Sequence, residues 1–319
     1  MIKNYNYINE PLYPMIDMNK WEVELFSTIY LRRLKHLSHF GAGSLISPVV
    51  HSRFEHTIGV WKLTAIYFKE DNLSKAAAIL HDIGHLPFSH AVEKNLGYNH
   101  HKITENYIRS KEIERILHKA DLTPQEIIDF LNSNNQITGT NEILGLDHLD
   151  SFFRDTYMNG TIERFPGDLL KFIKCDNRGV STDNQTAHYL MNLILEDHEL
   201  FLSPELLAAD CILAEAIKLH FNRVVNKEIS FLTDYELLSI LRNSKDPKVV
   251  HLLNLLTIYP DKIKINSNVT GEGIKFGIRK IYNKKPLCKG KPLEENDEWS
   301  RYQEKLSSLK KEYELILDS

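Results

Sequence analysis

The chain has 319 residues, 42% of them apolar and 26% charged, the mix of a soluble globular protein with material for a sizeable core rather than of a disordered or fibrous chain. A net charge of -4 provides no bulk positive field, so nucleic acid is not indicated as a partner, nor an acidic membrane. Cys175, Cys211 and Cys288 are odd in number and widely spaced, which argues against a disulfide framework or a thiolate zinc site and suits buried, reduced thiols. The first seven residues have no apolar signal core, and no stretch approaches the roughly 18 uninterrupted apolar residues of a membrane span. A cytoplasmic location is expected.

Residues 1–19 read as an irregular arm, with Pro11 and Pro14 blocking a helix. Apolar periodicity through Trp21, Leu25, Ile29 and Leu34 predicts a helix over 20–37, ended by the glycines of 41–44. A further helix is predicted through Val60, Leu63 and Phe68, stopping near Asp71 and Asn72. Ser74 is the expected cap of the next, which carries the apolar run 76–80. Helices follow over 101–118, after Thr123-Pro124-Gln125-Glu126, and over 146–157 up to Gly160; 132–140 reads as a surface loop. Residues 165–225 are expected to hold two or three helices, the clearest starting at Ser203-Pro204-Glu205. After Asn226 a short helix at 234–238, a strand pair within 263–282 and a charged helix over 299–317 are predicted. The fold class expected is all-α, with a helical domain over 1–225 and a small mixed α/β accessory region over 226–319. Lys284, Lys285, Lys289 and Lys291 form a local basic cluster that reads as a solvated face, or else as an anion or nucleotide site.

The densest chemistry is His81-Asp82-Ile83-Gly84-His85, which follows the apolar run and leads into Leu86-Pro87-Phe88-Ser89-His90. So many polar groups at a buried helix end are costly unless they bind something. Imidazoles and carboxylates with open positions suit a divalent cation that polarises phosphate. In chain order the candidates are His56, the pair His81 and Asp82, and Asp147. Two neutral histidines favour Mn, Fe, Co or Ni, with Mg possible, and one ion is expected. Neighbouring helical residues diverge by about 100°, so His81 and Asp82 share one ion only near a helix end. His85, four residues after His81, is a candidate proton donor, oriented by Asp155 or His101. Arg53 is placed to grip phosphate bidentately.

This ordered set resembles the HD-domain metal-dependent phosphohydrolases, and within them the deoxynucleoside triphosphate (dNTP) triphosphohydrolase branch. The likeness runs from Asn9 to Gly290 and is strongest in Arg53-Phe54-Glu55-His56-Thr57-Ile58-Gly59-Val60, in 81–90 and in 147–155. It implies an all-helical HD fold, a metal held by His56, His81, Asp82 and Asp147, and catalysis assisted by His85 and His101. It also implies a nucleotide substrate, attack of water on the α-phosphate, release of a deoxynucleoside plus triphosphate, and a homo-oligomer. The departures fall on substrate contacts. His148 and Ser151 stand where the branch commonly has Lys or Arg and Tyr; His39 replaces a base-reading glutamine; Leu202 to Leu206 replace an Arg and Tyr run. Two alternatives stay open. One is a two-metal HD phosphodiesterase or oxygenase drawing on His101 with His118 or His100, and the other is a nucleotide-binding regulatory protein with little hydrolysis.

Overall fold

The computed structural model describes residues 9–89, 91, 93, 97–140, 142–221, 227–278, 281–293, 297–309 and 311–316. His90 of the motif and the first eight residues of the arm lie outside that set. Helix α1 (Lys20–Ser27) and helix α2 (Ile29–Arg33) occupy the first predicted helical stretch. The expected single helix is broken at Thr28, whose extended backbone (ψ 156°) lets its side chain accept from Leu31 N and cap α2. A 3-10 turn, Leu34–His36, finishes the stretch.

Helix α3 (Arg53–Tyr67) is the axis of the fold. Ser52 and Glu55 close a capping box at its start, with Ser52 N donating to Glu55 Oε2 at 2.7 Å. From Arg53 to Ala65 every residue except Glu55 is buried, so α3 is sheathed on all sides. Helix α4 (Asn72–Leu80) packs on it through the fully buried run 76–80. The cap of α4 is Asp71, not Ser74: the helix begins three residues earlier than a Ser74 cap implies, and the Asp71 carboxylate accepts from Ser74 N at 3.0 Å. Helices α5 (His100–Ile108) and α6 (Lys111–Leu117) replace the single helix expected over 101–118; Ser110 caps α6 and interrupts the register. Helix α7 (Pro124–Leu131) lies against α4.

Helix α8 (Leu146–Asn159) crosses α3 at Gly59. A Cβ on Gly59 would fall inside the Asp150 carboxylate and the Arg154 guanidinium, so the close approach of the two helices requires glycine there. Helix α9 (Pro166–Leu169) leads into β1 (Ile173–Asp176) and β2 (Gly179–Thr182), an antiparallel pair not expected from the sequence. Helices α10 (Asn184–Phe201) and α11 (Pro204–His220) follow, then α12 (Asp234–Arg242) and α13 (Pro247–Thr257).

The predicted strand pair is a three-stranded sheet. β3 (Lys264–Asn266) and β4 (Ile274–Gly277) do not pair with each other but flank β6 (Glu312–Ile316), both antiparallel to it. The last helix, α14 (Asp297–Ser308), therefore ends earlier than the predicted 317. The physical reason is Glu314. It is buried in β6 and accepts from Thr270 N, Thr270 Oγ1, Gly271 N and Gly273 N at 2.7–2.9 Å, which ties β6 to the turn between β3 and β4. The backbone donor of Gly273, with those of the Thr270 turn, holds its carboxyl down at about 2. β5 (Leu287–Cys288) adds to β2 in parallel.

The chain is mostly helical, as expected, with six short strands among the described residues. One buried cluster joins Phe88, Ile212, Leu237, Leu253 and Leu315, residues from both sides of the expected 225/226 boundary. Among the described residues no helix is long and apolar enough to cross a membrane.

Candidate active site

A cavity of about 360 Å³ opens where the C-terminal end of α4, the start of α3 and the start of α8 converge. Helix α4 stops at Leu80, so His81 and Asp82 sit at the helix end that ligand sharing requires. His81 Nδ1 donates to Ala78 O at 2.8 Å, which fixes the tautomer and leaves Nε2 as the free acceptor. His81 Nε2 lies 3.4 Å from His56 Nε2, 3.5 Å from Asp82 Oδ1 and 3.8 Å from Asp147 Oδ1. His56, His81 and Asp82 are close enough to hold one ion, and Asp147 Oδ1 flanks the two imidazoles, 3.0 Å from His56 Nε2 and 3.8 Å from His81 Nε2. The four residues anticipated as ligands thus meet at one wall of the cavity.

A buried charge network orients His56. Its Nδ1 is 2.9 Å from Asp150 Oδ2; Asp150 also accepts from Arg154 Nε and Nη2, and Arg154 reaches Glu10 at 3.2 Å. Glu10 in turn lies 3.7 Å from Lys62 Nζ. Burial opposes charge on His56, yet its hydrogen bonds to Asp147 and Asp150 push it up to about 9. Asp150 is held down at about 2 against burial, chiefly by Arg154 and His56. Asp82 is likewise held well below the usual range against burial, by His81, Arg53 and His85.

The other candidates fall into two groups. His85 Nε2 lies 3.2 Å from Asp82 Oδ1, and burial with the nearby Arg53 keeps the imidazole neutral. Arg53, buried at 4% exposure, donates from Nη1 to Asp82 and from Nε to Ser89 Oγ. Two of the five guanidinium donors are engaged in this way, and the remaining protons on Nη1 and Nη2 are those a phosphate could take. His39, His148 and Ser151 line the cavity, but Ser151 Oγ donates back to Asp147 O at 3.2 Å.

Of the proposed orienters of His85, Asp155 has other neighbours and His101 lies next to the ring that stacks on His85. Asp155 lies further round α8 and faces His39 and His51. His101 is separated from His85 by His100, whose ring stacks on His85 at 4.1 Å and lies 4.0 Å from His101. His85 is not on a helical face shared with His81 either, because the helix ends between Leu80 and His81.

Sequence reasoning passed over several residues. His51 and Asp150 are two of them: His51 pairs with His39, and Asp150 with His56 and Arg154. Asp197 and His198 carried a signal, since they follow Leu193-Ile194-Leu195 on a buried face of α10. The lysine cluster divides: Lys284 lines the cavity and donates to Thr138 O, Lys285 packs on the Trp299 ring, and Lys289 and Lys291 are exposed. His118 is exposed and outside the cavity lining.

Comparison with known proteins agrees with this geometry. The profile of the HD domain matches residues 53–138. An uncharacterized protein of Methanocaldococcus jannaschii is 24% identical over 75% of this chain and 55% of its own length. The deoxynucleoside triphosphate triphosphohydrolase SAMHD1 of Homo sapiens is 28% identical over 41% of this chain and 25% of its own. The chain spans about half the length of the first curated relatives it matches. Among solved structures, a phosphohydrolase from Bacteroides thetaiotaomicron superposes with a TM-score of 0.64 at 20% identity, covering 84% of this chain and 81% of that one. Motif, fold and profile agree in placing an HD domain over residues 53–138 of the chain.

Proposed function

We propose that this chain is a metal-dependent phosphohydrolase acting on a nucleotide, with a dNTP as substrate and triphosphate plus deoxynucleoside as products. The observation that carries the reading is the convergence of His56, His81, Asp82 and Asp147 on one cavity wall. The donor set fits a divalent transition ion: His81 offers Nε2 with its tautomer already fixed, and two carboxylates offset the cation's charge. A cavity of about 360 Å³ falls at the lower end of the ~300–1,000 Å³ usual for small-molecule sites. The expectation that the ion is Mn, Fe, Co or Ni rather than Mg rests on the two imidazoles alone.

When bound, the ion supplies Lewis acidity toward the phosphoryl oxygens and an activated water. The chain's own residues do the remaining work. Asp150 and Ala78 O hold the two imidazoles in their ligating orientation. Arg53, anchored by Asp82 and Ser89, positions the phosphate chain with its remaining donors. His85, neutral, donates its one N–H to Asp82 and holds that carboxylate in place, while the proton taken up by the 5′-oxygen as its bond to the α-phosphorus breaks is one the attacking water gives up. The stacked ring of His100 keeps His85 from rotating away. Recognition of sugar and base falls to His148 and Ser151, with Tyr282, whose ring lies 4.8 Å from His148.

The test is incubation of the purified chain with each dNTP and Mn, with products separated by chromatography. Inorganic triphosphate formed by wild type and lost in His81→Ala is the expected result. No turnover of any dNTP in Mn, Fe, Co, Ni or Mg rules out the triphosphohydrolase.

A further inference from the structure

We propose that His39, His51 and Asp155 form a second cation site, separate from the His56, His81, Asp82 and Asp147 set, that takes a late first-row divalent ion of the zinc or cobalt type. The backbone builds it. Ser38 and Ser52 form an antiparallel bridge, His39 N donates to His51 O at 3.1 Å, and Arg53 N donates to Leu37 O at 2.9 Å. This pairing brings the two histidines side by side across a loop of a dozen residues. Helix α8 then delivers Asp155 against them.

Three donor atoms converge. His51 Nε2 is 3.0 Å from His39 Nδ1 and 3.3 Å from Asp155 Oδ1, and His39 Nδ1 is 3.7 Å from Asp155 Oδ1. Ligand bonds of about 2.1 Å meeting at right or tetrahedral angles place neighbouring donors about 3.0–3.4 Å apart. The triad is thus within a few tenths of an ångström of ligating geometry.

Asp155 Oδ1 supplies the independent sign of a ligand. Its side chain is 6% exposed, yet Oδ1 has no hydrogen-bond partner although two imidazole nitrogens are close to it. Leaving such an acceptor unsatisfied costs about 1–3 kcal/mol, and a shared cation satisfies all three atoms at once. Asp197 Oδ1, which also has no partner, belongs to the carboxyl beside Asp155. Two imidazoles and one carboxylate favour a borderline-soft ion over Mg or Ca. The rings of His39 and His56 stack at 4.3 Å, so the two sites are one ring contact apart.

The proposal does not depend on which reaction the chain catalyses, because its readout is stoichiometry. The metal-stripped full chain is titrated with Co²⁺ and Zn²⁺, and bound metal is measured by elemental analysis after dialysis. Two ions per chain are expected for wild type and about one for the double variant His81→Ala/Asp147→Asn. Adding His51→Gln, or separately Asp155→Asn, to that double variant should abolish the remaining ion and its Co²⁺ visible spectrum. Thermal melts verify that each variant is folded. A folded double variant that binds no ion overturns the proposal and leaves a metal-free hydrogen-bonded triad. Retention of that ion in both added variants overturns it equally.

Discussion

Asp150 Oδ2 lies 2.9 Å from His56 Nδ1, and the same carboxylate takes two hydrogen bonds from Arg154. The carboxylate therefore fixes which nitrogen of His56 faces the cavity while neutralising a buried guanidinium. Asp150→Asn is expected to lower metal affinity about 10- to 100-fold, as loss of a ligand's outer partner does. It should also destabilise the chain by up to about 3 kcal/mol, because Arg154 keeps Glu10 as its remaining carboxylate. Metal competition against a chromophoric chelator and urea unfolding check the two effects. Unchanged affinity would remove Asp150 from the account.

Gly59 makes that arrangement possible by letting α8 approach α3. Alanine in a helix interior ordinarily gains about 0.5–1 kcal/mol over glycine. Here its Cβ collides with Asp150 and Arg154. Gly59→Ala should therefore lose about 1–3 kcal/mol of stability, the cost of overpacking, and weaken metal binding with it. A stabilised Gly59→Ala chain would contradict the crossing geometry.

His56 gives a pH dependence. Its folded value is pushed up to about 9 from the ordinary 6.5, despite burial, by Asp147 and Asp150. A raised value means that the stability it contributes is fully present below pH 6.5 and lost as pH rises through 9. The amount is about 3 kcal/mol. Urea unfolding of the chelator-treated chain at pH 6, 7.5 and 9 should show this decline, while the metal-loaded chain should not, because the Nε2 proton has already been displaced. A flat profile in the chelated chain would contradict the buried charge pair.

The candidate cluster of His56, His81 and Asp82 was legible because two of its members are adjacent in sequence and lie where an apolar helix must end. The partners of those ligands were not. Whether Asp150 points inward or outward depends on the rotational phase of α8 against α3, which the glycine at 59 sets through a contact 91 positions away. The neighbours of Asp155 depend on the same phase, which sets it against His39 and His51. The pairing of His39 with His51 depends on a single bridge across an irregular loop, which leaves no periodic trace. β6 was read as helix because its neighbours are charged, although Tyr313 and Leu315 already alternate at strand spacing. Its pairing with β3 and β4 is long-range, and only Glu314 held in the Thr270 turn decides it.

Asp234 controls the turn that follows the motif. Its two carboxylate oxygens accept from Phe88 N and Ser38 N, each at 2.7 Å. Phe88 and Ser89 both hold left-handed backbone, with φ of 54° and 56°, a conformation that costs a non-glycine residue roughly 1–2 kcal/mol. Ser89 Oγ, presented by that turn, accepts from Arg53 Nε at 2.7 Å and donates to Ser38 O at 2.8 Å. A side chain of α12 thus places Arg53 through a strained turn. Asp234→Asn replaces one acceptor with an amide donor facing a buried N–H, at a cost of about 1–3 kcal/mol. The expected outcome is a lower melting temperature with the ion at His56, His81, Asp82 and Asp147 still bound. Phosphate affinity should fall as Arg53 loses its anchor, and Ser89→Ala should reproduce that fall with a smaller loss of stability. If Asp234→Asn melts like wild type, the turn is held by other contacts and Asp234 has no part in positioning Arg53.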